Sequence, residues 1–180
     1  MKVVETTIGG LVIIEPKIHE DERGYFFESW NNRKFNELVA NVNFVQDNQS
    51  CSSKNTLRGL HFQNPPYAQG KLVRVISGSI LDVAVDIRKS SPTYGKHFSV
   101  LLSKENNKMF YIPPGFAHGF LALEDDTIIS YKCTVDYNKE SEGSLFWDDK
   151  DLNIDWSITN PLISEKDDKA ESFKSFISLF

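Results

Sequence analysis

The chain contains little cysteine, no long apolar run and no excess of positive charge. Only two of its 180 residues are cysteines, Cys51 and Cys133. Nothing in the sequence requires them to pair, so we expect free thiols and a cytoplasmic protein. No stretch approaches the ~20 apolar residues of a membrane-spanning helix. The first residues also lack the apolar run of a signal peptide, so we expect no membrane partner.

Charge and composition narrow the class of protein further. The net charge of −5 argues against a nucleic-acid-binding protein, because such proteins carry a basic face. The content of 40% hydrophobic and 25% charged residues is ordinary for a folded domain. Since no repeat, low-complexity tract or linker interrupts the sequence, we expect residues 1–180 to form one domain.

Short runs rich in Val, Ile, Phe and Tyr follow one another along most of the chain and predict β-strands. The clearest is 80–88, where apolar residues face one side and the other side carries Asp82, Ala84 and Asp86. Further strands are expected at 3–8, 11–15, 44–50, 57–62, 71–77, 97–103, 109–112, 118–123 and 127–134.

Helical spacing occurs in two places only. Apolar residues recur at i, i+3, i+4 and i+7 from Phe35 to Val42, and with a similar period from Ala170 to Phe180. Ser164 begins a polar stretch that could cap the second helix. Many short strands with few helices predict a mainly β protein, a jelly-roll barrel of antiparallel strands with peripheral helices.

One histidine, His61, lies in the strand-like run Leu57-Arg58-Gly59-Leu60-His61-Phe62-Gln63. Strict alternation would place Arg58 with Leu60 and Phe62 on one face, and His61 with the glycine and glutamine on the other. Such a face is not a standard apolar core face. A hydrogen-bonded structural histidine and a reactive one explain it equally well.

A second histidine, His118, ends a Pro-x-Gly-x-x-His pattern that begins at Pro113. This pattern resembles the second motif of the cupin superfamily, in which the histidine often binds a metal. The first cupin motif would supply His-x-His and a glutamate, whereas this chain has His61-Phe62-Gln63 followed by Asn64. Because zinc and iron require three or four strong ligands, we expect no metal.

Without a metal, proton transfer is the next candidate chemistry, since histidine suits a general base near neutral pH. A base needs an orienting acceptor; the candidates are Asp82, Asp86, Asp167 and Asp168. Other candidate groups are Tyr131 as an acid and Lys71, Arg23 and Arg58 as cations. Each of these alone is more often a surface charge or a core tyrosine, so only the combination carries weight.

Several longer motifs resemble the dTDP-4-dehydrorhamnose 3,5-epimerase family, and the resemblance covers nearly the whole chain. The combination of Arg-Gly-Leu-His at 58–61 with Gln-Gly-Lys-Leu at 69–72 is the most specific part. The other matching runs are 21–28 (Asp-Glu-Arg-Gly-Tyr-Phe-Phe-Glu), 44–50 (Phe-Val-Gln-Asp-Asn-Gln-Ser), 82–88 (Asp-Val-Ala-Val-Asp-Ile-Arg), 114–120 (Pro-Gly-Phe-Ala-His-Gly-Phe), 131–132 (Tyr-Lys) and 164–167 (Ser-Glu-Lys-Asp).

This resemblance implies a cupin-like homodimer that needs neither a metal nor a coenzyme. It implies His61 as proton acceptor, Tyr131 as proton donor, Asp167 or its neighbour Asp168 as the orienting acid, and Lys71 beside the C4 oxygen. The positions that match contacts to the nucleotide sugar are Arg23, Glu28, Gln46, Asn48, Arg58, His118, Glu142 and Lys166. In this family Arg23 can also reach the active site of the other subunit.

The implied reaction converts dTDP-4-keto-6-deoxy-D-glucose into dTDP-4-keto-L-rhamnose. The ketone acidifies the hydrogens on C3 and C5, a cation stabilises the enolate, and an acid on the opposite face completes each inversion. A mono-epimerase acting at C3 or C5 has the same requirements. A ketoisomerase needs no opposite acid, so Tyr131 counts against it. A non-catalytic sugar-nucleotide sensor and a metal-dependent oxygenase are the remaining alternatives.

Overall fold

The computed structural model describes residues 1–180 and is built almost entirely from antiparallel strands. The strands are β1 Lys2–Glu5, β2 Val12–Glu15, β3 His19–Asp21, β4 Gly24–Phe26, β5 Gln46–Ser52, β6 Leu57–Gln63, β7 Lys71–Ser77, β8 Ser79–Asp86, β9 His97–Ser103, β10 Met109–Ile112, β11 Phe116–Ala122, β12 Thr127–Cys133 and β13 Glu142–Ser144. The helices are α1 Asn32–Leu38, α2 Glu165–Asp168 and a 3₁₀ turn, Lys139–Ser141. None is long and apolar enough to span a bilayer.

Two sheets form the body of the protein. The six-stranded sheet has the order β1-β2-β10-β7-β12-β5, and the five-stranded sheet has the order β13-β6-β11-β8-β9. A separate two-stranded arm is formed by β3 and β4. The predicted jelly roll with a few peripheral helices is therefore confirmed.

The interior between the sheets is filled by apolar side chains from both of them. Val73 and Ile129 of the six-stranded sheet share one cluster with Ile80, Ala84 and Phe120 of the five-stranded sheet. At ~25 cal/mol per Å² of buried apolar surface, such a cluster is the main source of stability in the barrel. This apolar cluster fills one part of the space between the sheets, and polar side chains line the other part.

The outer faces of both sheets are also covered. Leu57 and Val83 pack with Trp147 and Trp156 outside the five-stranded sheet. Ile14 and Leu72 pack with Phe35 of α1 outside the six-stranded sheet. Strand β8 is therefore buried on both of its faces, including the one that carries Asp82, Ala84 and Asp86.

The predicted C-terminal helix is wrong. Only Glu165–Asp168 is helical, with Ser164 accepting a hydrogen bond from the Asp167 N–H at 3.1 Å, as expected of a cap. Beyond it, Phe173, Phe176 and Phe180 pack on the outer cluster of the five-stranded sheet without helical backbone. The helical spacing reflects repeated packing of phenylalanines against a sheet, which an irregular chain also permits.

Candidate active site

A cavity of about 540 Å³ opens between the two sheets where polar side chains replace the apolar core. A second lobe of about 350 Å³ adjoins it, because His61, Lys71 and Tyr131 line both. Seven residues singled out from the sequence line the first lobe: Arg58, His61, Lys71, His118, Tyr131, Lys166 and Asp167. The second lobe adds Gln46, Asn48 and Glu142.

His61 is held by a buried carboxylate. Its Nε2 lies 2.6 Å from Oδ1 of Asp167, whose side chain is only 5% exposed. Burial alone would raise the pKa of Asp167, but hydrogen bonds from His61, Gly59 and Ser164 outweigh it and lower that pKa. An ionised carboxylate only accepts, so Nε2 carries the hydrogen and Nδ1 is left free to take a proton. The acid beside His61 is thus Asp167 and not Asp168.

Two glycines bring the strands that carry the histidines unusually close together. Gly59 has φ +115°, and a Cβ on it would lie 2.5 Å from the Cα of Gly119 and 2.6 Å from the carbonyl oxygen of His118. The pairing of β6 with β11 also shifts register here, since His118 is opposite His61 while Phe120 is opposite Arg58. This bulge breaks the alternation along β6. Arg58 therefore lines the same cavity as His61, contrary to the face predicted for it.

A second histidine–carboxylate pair lies beside the first. Nε2 of His118 is 2.5 Å from Oδ1 of Asp82, and Asp82 is fully buried. Asp82 and Asp86 are both fully buried, so the polar face of their strand points into the protein, and of these two candidates Asp82 is the one that contacts a histidine. Asp86 instead binds Arg88, Ser91 and Thr93 outside the cavity.

The opposite sheet contributes an amine and a phenol. Lys71 on β7 and Tyr131 on β12 face His61 across the cavity from the six-stranded sheet. Burial lowers the pKa of Lys71 and raises that of Tyr131, and the charge of Arg58 partly offsets the rise. Tyr131 consequently keeps its proton at neutral pH and has one to donate.

The second lobe is lined by amides and an ion pair. Glu142 on β13 binds Lys166 at 2.5 Å and accepts a hydrogen bond from the Tyr137 hydroxyl at 3.1 Å. Tyr137 is 56% exposed, and its N–H donates to Gln46 at 3.0 Å. Sequence reasoning missed Tyr137 because it follows β12 in a polar turn with no periodic pattern around it.

Arg23 and Glu28 lie outside this cavity. Arg23 connects the strands of the exposed β3–β4 arm and pairs with Asp21, with its side chain 83% exposed. Glu28 binds Lys34 at 2.7 Å and lines a different cavity of about 290 Å³ beside α1. Within one subunit, neither residue reaches the cavity that holds His61.

The side chains around the two histidines do not form a set of metal ligands. No group of three or more His, Cys, Asp or Glu side chains is arranged to hold a metal ion. Each cavity histidine is instead engaged by one carboxylate through Nε2. Cys133 is buried, and burial raises the pKa of its thiol, so it offers no thiolate at neutral pH.

The jelly roll and this cavity define a cupin-like enzyme of the acid–base type, with an oriented imidazole on one sheet and a protonated phenol and an amine on the other. The chain belongs to the dTDP-4-dehydrorhamnose 3,5-epimerase family, whose model matches residues 5–175. Members of this family are isomerases.

Individual relatives agree over almost the full chain. The dTDP-4-dehydrorhamnose 3,5-epimerase of Shigella flexneri is 52% identical over 174 residues, covering 96% of each chain. The crystal structure of the enzyme of that name from Elizabethkingia anophelis NUHP1 has a TM-score of 0.92 at 52% identity and covers 97% of each chain. The dTDP-6-deoxy-D-glucose-3,5-epimerase of Legionella pneumophila Philadelphia 1, in complex with dTDP-4-keto-L-rhamnose, has a TM-score of 0.94 at 47% identity, covering 98% of this chain and 94% of the other.

Proposed function

We propose that this protein is a dTDP-4-dehydrorhamnose 3,5-epimerase that converts dTDP-4-keto-6-deoxy-D-glucose into dTDP-4-keto-L-rhamnose. The observation that carries the proposal is the placement of His61 and Tyr131 on opposing sheets of one cavity, with Lys71 lining both of its lobes. A base and an acid on opposite walls are what inversion of a carbon centre requires.

The stereochemistry of the sugar ring fits a single base. In the chair form of a 4-keto-6-deoxy-D-glucose derivative, the hydrogens on C3 and C5 are both axial and lie on the same face. One imidazole below the C4 ketone therefore reaches both acidic hydrogens in turn. One phenol above the ring supplies the new hydrogen at each centre.

In the proposed cycle, Nδ1 of His61 removes the proton from C3 or C5 while Asp167 stabilises the imidazolium through Nε2. The electron pair of the broken C–H bond forms a C=C bond to C4, and the ketone oxygen becomes an enolate. Lys71 stabilises that charge, which is larger in the transition state than in the ketone. Tyr131 then donates its proton to the opposite face of the carbon. Exchange with solvent removes the proton from His61 and restores the proton of Tyr131 before the second carbon reacts.

The remaining lining residues suit the nucleotide. Arg58 and Lys166 are the cations beside the first lobe and can bind the pyrophosphate. Gln46, Asn48 and Glu142 offer hydrogen bonds in the second lobe, and His118 offers one beside the sugar. Tyr137 presents an exposed ring at the second lobe, so we assign it the stacking contact with the base.

The functional unit is proposed to be a cytoplasmic homodimer of one-domain subunits. The β3–β4 arm makes no pairing with either large sheet, and its residues Tyr25 and Phe26 are 60% and 71% exposed. A second subunit that covers this arm would bury the two rings and bring Arg23 and Glu28 to a neighbouring cavity. That arrangement would supply the two predicted substrate contacts, from Arg23 and Glu28, that a single subunit does not provide.

Incubation of the purified protein with dTDP-4-keto-6-deoxyglucose in D₂O tests the function. We expect deuterium at both C3 and C5, read by NMR, and the L-rhamno configuration in the product. Label at one carbon only would assign a mono-epimerase, and no label would leave a sugar-nucleotide sensor. Asp148→Asn, which changes an exposed acid, is the matched control and should behave as the unmodified protein.

A further inference from the structure

Tyr137 lies in a loop, residues 135–138, whose backbone is held by side chains. Residues 135–137 make no hydrogen bond to other backbone groups. The carbonyl oxygens of Val135 and Asp136 accept hydrogen bonds from glutamine side chains. The N–H groups of Tyr137 and Asn138 donate to glutamine side chains. Four consecutive residues are therefore held in place by one residue type.

Three glutamines from three different segments make these bonds. Gln69, which precedes β7, donates to the Val135 carbonyl oxygen at 2.6 Å. Gln46 on β5 accepts from the Tyr137 N–H at 3.0 Å, and Gln63 on β6 makes the other two contacts. All three glutamines line the second lobe of the cavity together with Tyr137. The loop is thus fixed at the wall of the proposed nucleotide site.

Gln63 is the glutamine with the most contacts. It is 5% exposed, and its Nε2 donates to the carbonyl oxygens of Tyr67 at 2.8 Å and Asp136 at 3.3 Å. Its Oε1 accepts from the Asn138 N–H at 2.8 Å. Because an amide has only two hydrogens to donate, Gln63 has no donor left for a ligand, although it lines the lobe. Its hydrogen bonds serve the two loops on either side of it.

The ring of Tyr137 is anchored at both of its ends. The N–H of this residue is held by Gln46, and its hydroxyl donates to Glu142 at 3.1 Å. Glu142 is in turn the β13 partner of Gln63 on β6. Tyr137 is nevertheless 56% exposed, so its ring is ordered and accessible at once. A ligand that stacks on a ring already in place loses little affinity to ordering of the loop.

We propose that Gln63 is a positioning residue for nucleotide binding: it fixes the loop 135–138 so that the ring of Tyr137 is presented to the base before the ligand binds. The proposal rests on the function proposed above, which assigns the base to Tyr137. The hydrogen bonds of Gln63 reach none of the proton-transfer groups. Its loss should therefore weaken binding and leave the chemical step intact.

Gln63→Met and Gln63→Glu test this role. The first removes every hydrogen bond, and the second keeps the shape of the side chain but lacks both donors, because a carboxylate only accepts. We expect each variant to bind dTDP about tenfold more weakly in calorimetry, the size of one contact between a base and an aromatic ring. KM should rise with little change in kcat. Gln49→Met, a change at an exposed glutamine of β5, is the matched control and should bind dTDP normally.

Tyr137→Ala separates this role from a general loosening of the barrel. It should weaken dTDP binding by about the same factor, since it removes the same stacking contact. The combination of Gln63→Met with Tyr137→Ala should bind no more weakly than Tyr137→Ala alone. Losses that multiply in the double variant would overturn the proposal, and so would normal dTDP binding by Gln63→Met or Gln63→Glu.

Hydrogen exchange in the ligand-free protein keeps the proposal separate from the enzyme function. The Tyr137 N–H binds Gln46, which neither variant alters, so its exchange reports release of the whole loop. We expect it to exchange about tenfold faster in both Gln63 variants, whereas the Thr134 N–H, bonded to the Gly70 carbonyl oxygen at 3.0 Å, keeps its rate. Faster exchange with weaker dTDP binding supports the role even if labelling in D₂O shows no epimerisation. Unchanged exchange at Tyr137 refutes it even if the protein proves to be an active epimerase.

Discussion

His61 and His118 lie directly opposite each other on neighbouring antiparallel strands, and each contacts a buried aspartate through Nε2. The two imidazoles therefore offer the same ring nitrogen, Nδ1, to one cavity. Their carboxylates differ in what else they bind. Asp167 also accepts from the Gly59 N–H at 3.3 Å, whereas the second oxygen of Asp82 is unpaired.

Tyr131→Phe should separate proton removal from inversion. His61 can still take a proton and return it, or a deuteron from solvent, to the same face. We expect substrate recovered from D₂O to carry deuterium with unchanged configuration, while epimer formation falls by about 10²–10⁴-fold. His61→Asn should abolish both exchange and inversion. Normal epimer yield from Tyr131→Phe would remove the phenol from the mechanism.

Lys71→Met should reduce kcat by about 10²–10³-fold, because it removes the cation that faces the enolate oxygen and keeps an apolar chain of similar length. Binding of dTDP, measured by calorimetry, should change little, since dTDP carries no ketone. A large loss of dTDP affinity with normal kcat would instead place Lys71 at the nucleotide.

Arg23→Ala and His61→Ala should complement each other if Arg23 serves the neighbouring subunit. Each variant alone is expected to be inactive or weak. When the two are unfolded and refolded together, half of the dimers are mixed and one site in each mixed dimer is intact, so about a quarter of full activity returns. If Arg23 acted within its own subunit, the mixture would be as inactive as its components.

Gly59→Ala should destabilise the barrel by on the order of 3 kcal/mol. The new Cβ would meet the backbone of β11 at 2.5–2.6 Å, and the residue has a φ that side chains disfavour. Unfolding in urea measures the loss. Gly9→Ala is the control, because no atom lies within 4 Å of its added Cβ, and its stability should be unchanged.

Asp86→Asn should destabilise the protein at neutral pH by on the order of 2 kcal/mol. Burial opposes ionisation of Asp86, but Arg88, Ser91 and Thr93 bind its carboxylate and lower its pKa from 3.8 to about 2. The stabilisation is complete above the unfolded pKa and is lost as the pH falls through the folded one. The difference from the unmodified protein should thus shrink between pH 4 and pH 2, whereas Asp148→Asn should show no difference at either pH.

Most strands could be predicted because the apolar residues that indicate a strand lie within its own short stretch of sequence. The ranges 71–77, 97–103 and 109–112 match β7, β9 and β10. The missed strands β3 and β4 are exposed on all residues, so they carry no alternation. β13 is only three residues long and exists because β6 offers it an edge.

The candidate site could likewise be predicted only in part from the sequence. His61, Lys71 and Tyr131 could be proposed from motifs, because a base, a cation and an acid are the groups that the proposed chemistry requires. The choice between Asp167 and Asp168 depends on where a four-residue helix docks, and the side of the strand on which Arg58 lies depends on a bulge. Both are tertiary features that the pattern of a single strand does not encode.

The hydrogen bond between His61 and Asp167 joins positions 106 residues apart, and the last strand of the barrel ends at Ser144. A nascent chain on the ribosome can consequently complete every strand while its imidazole still has no orienting acid. Catalytic competence arrives only with the final stretch of translation, which supplies both Asp167 and the aromatic side chains that cover the five-stranded sheet.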